Sequence, residues 1–271
     1  MTPDIMDTLK IYAALAMASL KARMQYKASF FVLIFAVTLF YLAQLGSLLV
    51  VIARFKEIND WTIGDMAFLF GLLTFSQGFT TLFFNGLQNF DTMLINGEFD
   101  RTLVRPLSPL AQVVLSKFEA STVAHSLIGA VALYYGAKMS GIVWTTEKMV
   151  SLPLVVFGGV LIQGGIRMFV NAVAFWTLRN AALVHTVVFS GREFVVYPIT
   201  IYNYGIRFFL TFIFPLAFVN FYPAQYFLDK TGETLFHPAL RTLTPVVGII
   251  LFSLSMVAWK KGIDHYQSSG S

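Results

Sequence analysis

Apolar residues run in six long charge-free stretches along this chain, and nearly all the charge collects in the short segments between them. The stretches cover residues 28–53, 66–90, 120–137, 149–166, 208–228 and 242–259. The third extends back through residues 113–118, and the fourth continues past Arg167 to about residue 176. An α-helix of about 20 apolar residues crosses the hydrocarbon core of a bilayer. The pattern therefore predicts an all-α polytopic membrane protein with six transmembrane helices. An even number of crossings puts both ends of the chain on the same side.

Two segments fall outside this pattern. Within residues 1–27, Ile5, Leu9, Tyr12, Ala16 and Leu20 lie near one helical face, with Lys10, Lys21 and Lys27 among the polar positions. That spacing predicts an N-terminal interfacial helix leading into the first span. Residues 180–206 are apolar in two pieces, broken by Gly191, Arg192 and Glu193, and each piece is too short to cross. They read as an interfacial or protein-covered segment on the cytoplasmic side. Residues 1–267 form a single transmembrane domain with no soluble domain, and residues 268–271 read as a linker.

Composition agrees with lipid as the main solvent. Hydrophobic residues make up 57% of the 271 residues and charged residues only 12%, against about a quarter charged in soluble domains. Net charge is +5. Because the basic residues cluster at span ends, anionic headgroups account for them and nucleic acid does not. With the N-terminus inside, twelve lysines and arginines fall on the cytoplasmic side against six outside. The positive-inside rule thus places both termini in the cytoplasm, in an inner or plasma membrane. There is no cysteine, which excludes disulfides, thiolate catalysis and cysteine metal sites. Asp4 and Asp7 precede any apolar core, so the start does not read as a cleaved signal peptide.

Candidate chemistry gathers in two places. The connection at residues 89–112 holds Glu98, Asp100, Arg101, Arg105, Pro106 and Pro109 between two apolar stretches. Asn96 and Gly97 signal a turn. Phe99 and Leu103 are four apart, as are Arg101 and Arg105, so a short helix would carry an apolar edge toward the membrane and a basic edge toward the cytosol. Pro106 ends it. The pattern alone leaves two readings open: arginines that anchor the loop, or arginines that grip a soluble partner.

The second place is the fourth stretch, where Gly159, Gln163, Arg167 and Asn171 recur every four residues and form one polar stripe. An arginine inside the membrane costs at least about 2.5 kcal/mol and needs protein, water or an acid beside it. Glu119, near the inner end of the third stretch, is the acid expected to pair with Arg167. The stripe then lines a path or gate, or simply holds two spans together. The four histidines are scattered, and neither a His-Glu-x-x-His nor a Gly-x-Ser-x-Gly motif occurs. A Gly-x-x-x-x-Gly-Lys-Ser/Thr phosphate loop is also missing, so ATP hydrolysis by this chain is not expected.

The loop, the six-span plan and the amphipathic start together resemble the ABC type-2 permease family, in its branch of small permeases with a Gly-x-x-Asp-x-x-Leu-x-Arg-Pro loop. Here that motif is Gly97, Asp100, Leu103, Arg105 and Pro106. Tyr197-Pro198 and Pro223-Ala224 are also similar. The resemblance implies that residues 98–107 are a cytoplasmic coupling helix, with Glu98, Phe99, Asp100, Arg101, Leu103, Arg105 and Pro106 meeting an ATP-binding subunit. ATP and Mg would sit in that partner, with no cofactor in this chain. A second permease chain, identical or paralogous, would complete the transporter. In such proteins short helices dip back between the last two spans, and residues 222–241 would be such a device or an aromatic belt followed by a loop. The expected role is export of an amphipathic drug, peptide or lipid-like substrate. The rivals are an ATP-independent secondary transporter or channel, and a membrane scaffold or immunity protein.

Overall fold

Glycines at seven-residue intervals set the packing of the long helices. The computed structural model describes residues 25–55, 57–117, 119, 121–230 and 236–267, with five positions between 11 and 21. Among them the regular structure is helical, apart from one isolated bridge between Ile58 and Trp61. Helix α1 spans Lys27–Phe55, α2 Ile63–Phe84, α3 Phe90–Ile95, α4 Asp100–Leu103, α5 Pro109–Leu115, α6 Ser121–Met139 and α7 Thr146–Ala172. A short continuation, α8 (Ala174–Thr177), follows α7. The chain closes with α13 (Thr244–His265), after the small helices α9 to α12 described below.

Helix α2 places Gly64, Gly71 and Gly78 against α6, which answers with Gly129 and Gly136. A methyl group on Gly71 would sit 2.5 Å from the Leu133 amide nitrogen. Small residues at such a seam let two backbones touch, which is how helices associate where lipid removes the usual hydrophobic drive. Gly64 faces Ser140 and Gly78 faces Ser126, so the two helices run antiparallel. A second seam joins α7 to α13. Gly158 meets Thr244 and Pro245, Gly165 meets Phe252, and Gly262 meets Phe175. Here numbers rise together, so α7 and α13 run parallel.

One end of the bundle is tied by charge. Lys148, buried at the start of α7, donates to the Asp229 carboxylate at 2.7 Å and to the Phe227 carbonyl at 2.9 Å. Lys230 pairs with Asp65 at the start of α2, at 3.0 Å, and lies over the Trp61 ring. Two neighbouring residues thereby hold two helix starts together.

The structure differs from the sequence expectation in the number and shape of the spans. Among the described residues, four helical stretches are long and apolar enough to cross a membrane: Lys27–Ser47, Ile63–Ile95, Thr146–Thr177 and Thr244–His265. The expected span at residues 120–137 is the 19-residue α6, whose apolar content is diluted by Thr122, His125, Ser126 and two tyrosines. The expected span at residues 208–228 is not one straight helix. Tyr204–Ile213 and Leu216–Phe227 meet at 77°. Pro215 lies at the elbow, where its missing N–H and its ring stop the helix. The Thr211 and Tyr222 hydroxyls, 2.8 Å apart, brace the two arms. Counted as one span, this pair makes five. The helix expected over residues 1–27 lies largely outside the described residues, as does the tail 268–271.

Residues 180–206, read as interfacial or protein-covered, are covered by protein over part of their length. They form α9 (Ala181–Val184), a π-helical stretch His185–Ser190 and α10 (Gly191–Glu193), then a turn of 3-10 helix, Ile199–Ile201. Val195, Val196 and Ile199 are buried. Asn220 donates to the Val195 carbonyl at 2.6 Å, and Arg192 reaches Thr74, midway along α2, at 3.4 Å. The segment packs against the middle of the bundle, because its charged break turns inward. The remaining small helices are α11 (Tyr204–Phe208) and α12 (Phe221–Phe227).

Candidate functional site

The charged loop folds into a hook with a buried base and an exposed tip. After α3, the turn at Asn96-Gly97 forms as its sequence requires, with Gly97 at φ +68°, a region open to glycine at little cost. Phe99 then enters the protein fully. Its ring lies 5.4 Å from Phe90, 5.5 Å from Phe175 and 5.2 Å from Tyr266. Trp259 completes the cluster, 4.7 Å from Phe90. Edge-to-face geometry of this kind adds to the gain from burial. Helix α4 follows for one turn, braced by Thr102, whose hydroxyl donates to the Phe99 carbonyl at 2.7 Å. Gln112 on α5 donates to the Thr102 and Leu107 carbonyls at 3.0 and 3.2 Å. Ser108 caps α5, with Pro109 in its first turn.

The tip carries Arg101, Leu103, Val104, Arg105 and Pro106, all exposed, with Glu98 exposed just before. The shared apolar edge expected of Phe99 and Leu103 does not form. Phe99 is the anchor and faces inward, while Leu103 stays with the arginines on the surface. A one-turn helix is too short for the four-residue spacing to define a face. Asp100 is half-buried and faces Tyr266, just beyond α13. Burial, and then the Asp100 carboxylate, push the Tyr266 phenol up to about 12. The hydroxyl itself is buried beside the Asp100 carboxylate.

The polar stripe of α7 is buried as expected: Gln163, Arg167 and Asn171 are all inside. Its parts separate by role. Asn171 donates back to the Arg167 carbonyl at 2.8 Å, and Asn180 donates to the Val170 carbonyl at 2.8 Å. These bonds finish the helix end. Gln163 and Arg167 instead face space. The expected pair of Glu119 with Arg167 is not made. Glu119 accepts from Asn85 at 3.2 Å, and Arg167 forms no ion pair among the described residues. Asn85, just past the end of α2, takes the carboxylate instead.

Arg167 and Glu119 do share a cavity of about 840 Å³ between α1, the second half of α2, α7 and the stretch 185–193. The residue that sequence reasoning missed there is Arg192. It is nine-tenths buried, 5.0 Å from the Tyr41 ring and 3.5 Å from the Glu193 carboxylate. It had been grouped with the cytoplasmic charges, yet the apolar residues on both sides of it, 187–189 and 194–196, were the sign that it goes inside. Among the described residues no three His, Cys, Asp or Glu side chains gather to hold a metal.

A family model described as ABC-2 family transporter protein matches residues 29–270. The chain belongs to the ABC-2 transporter family. No curated protein and no solved structure matches it. Membership makes the chain a multi-pass membrane permease of the ABC transporter class, whose members work with an ATP-binding subunit. The hook faces out of the bundle, and the cavity opens within it.

Proposed function

We propose that the chain is the permease subunit of an ABC exporter, with six crossings, both ends in the cytoplasm and ATP hydrolysed in a separate subunit of the inner or plasma membrane. The hook carries this reading. Its tip offers two arginines and two apolar side chains to a partner, while its base is clamped by Phe99 to the ends of α7 and α13. A push on such a tip moves helices, which a loose anchoring loop would not do. The cavity lies in the half of the bundle nearest the hook, since Gln77 and Thr81 on α2 and then Asn85 and Gln88 just past its end descend toward it. A cytoplasmic hook therefore puts cargo entry at the height of the inner leaflet, as export requires. The exposed apolar face of α1, with Phe31, Phe35, Leu39 and Leu42, is available to lipid and to a second permease chain.

The test is co-purification from native membranes. The unmodified chain is expected to retain an ATP-binding subunit and support ATP-dependent export. Arg101→Glu with Arg105→Glu is expected to lose both while the chain still inserts. Retention of the ATPase and of export by the double variant would remove the docking role.

A further inference from the structure

We infer that the cavity beside α1 is a binding site for an anionic amphiphile, held by its phosphate or carboxylate head between Arg167 and Arg192. The inference rests on the permease reading and names the class of cargo.

Three observations carry it. First, both arginines are nine-tenths buried and belong to one wall. They also border a second, much smaller void together with Gln77 and Gln163, so they stand close to each other. Second, their charge is poorly matched. Arg167 has no acid partner among the described residues, and the Arg192 Nε is buried without a hydrogen bond. Glu193 is half exposed, lies 3.5 Å from Arg192 and gives its other oxygen to Gln44 at 2.8 Å. Glu119 is held by Asn85, nearer the hook. Burying two like charges without full pairing is costly. A bound anion lowers that cost through charge-assisted bonds to two planar forks. Third, α1 gives the cavity an apolar wall. Leu33, Val37 and Phe40 of α1 and Phe189 line the same space, at a position where an alkyl or aryl tail finds hydrocarbon. A free anion has no use for that wall, and a neutral lipid has none for the arginines.

The experiment uses the full chain in zwitterionic nanodiscs. The probes are dodecyl phosphate, dodecanoate, dodecyltrimethylammonium and dodecyl glucoside, each competing with a fluorescent monoalkyl phosphate. The two anionic probes are expected to bind about tenfold tighter than the cationic and uncharged ones, the worth of one strong charge-assisted contact. Inorganic phosphate is expected not to displace the probe. Arg192→Gln should lose the preference and Arg192→Lys should keep most of it. Equal binding of the trimethylammonium probe overturns the inference. Displacement by inorganic phosphate at the same concentration as dodecyl phosphate overturns the amphiphile and points to a free anion. The head-group series on the unmodified chain decides the matter even if the variants fail to fold. If the same preparation retains its ATPase without any head-group preference, this inference fails alone. A head-group preference without ATPase binding overturns the permease reading instead.

Discussion

Phe99 and Tyr266 meet edge to face, with ring centroids 5.2 Å apart. One sits at the base of the charged hook and the other directly after the last helix. The contact ties the charged connection at residues 89–112 to the residue that follows α13. Phe99→Ala opens a hole among Phe90, Phe175 and Tyr266 and is expected to cost about 3 kcal/mol, the lower part of the range for buried phenylalanine. Thermal unfolding in detergent measures that cost. Export should fall further than stability explains, while the exposed arginines still bind the partner. Equal loss of binding and export would mean that the hook docks but does not transmit.

The Tyr266 phenol gives a pH signature at the same joint. Its pKa is raised from the ordinary value near 10 to about 12 by burial and by Asp100. A raised folded-state value means that the stabilisation is fully present below the unfolded pKa and disappears as pH rises through the folded one. The chain should therefore be level in stability near neutrality and weaken between about pH 10 and 12. Tyr266→Phe should flatten that alkaline decline. A comparison of the two alkaline unfolding profiles checks it.

The glycine seams make a sharp contrast. At Gly71 an added methyl meets Leu133 backbone at 2.5 Å, whereas at Gly46 nothing lies within 4 Å. Gly71→Ala is expected to destabilise by about 2 kcal/mol, since a helix backbone cannot give way locally. Gly46→Ala should be neutral or gain up to about 1 kcal/mol from helix propensity. Melting temperatures of the two variants, measured side by side, test the seam.

The cavity charges are expected to be independent at one pair and coupled at another. Because Glu119 is bonded to Asn85 and not to Arg167, exchanging Glu119 and Arg167 should not rescue either single charge reversal. Asn85→Ala and Glu119→Gln should instead show a coupling of about 1 kcal/mol in a double-mutant cycle. A swap that restores function would put the ion pair back.

Much of the plan was legible in the sequence. The apolar stretches fell on helices, and Asn96-Gly97 made its turn. The stripe at Gln163, Arg167 and Asn171 was buried, because the cost of an exposed charge in lipid leaves no alternative. What failed did so for physical reasons. Phe99 and Leu103 were read as one face, but one turn of helix defines none. Pro215 lies inside the stretch 208–228, but the fold at its elbow depends on the brace between Thr211 and Tyr222, a tertiary contact. The seven-residue glycine spacing at 64, 71 and 78 was present in the sequence and went unread. Its partner spacing at 129 and 136 is what gives it meaning, and only packing shows which helices meet.

The parallel course of α7 and α13 has a further consequence. Two consecutive long helices that point the same way oblige the chain between them to make a return journey along the bundle. That journey is made by residues 178–230, with their π-helical turns, a buried arginine and an elbow of 77°. The stretch with the least regular backbone is thus a structural leg of the bundle and not a loop. Its irregular amides and carbonyls must find partners inside the protein, as Asn220 does for Val195. A bundle with one jointed leg among straight helices has its natural point of yield chosen in advance, beside the cavity that holds Arg192.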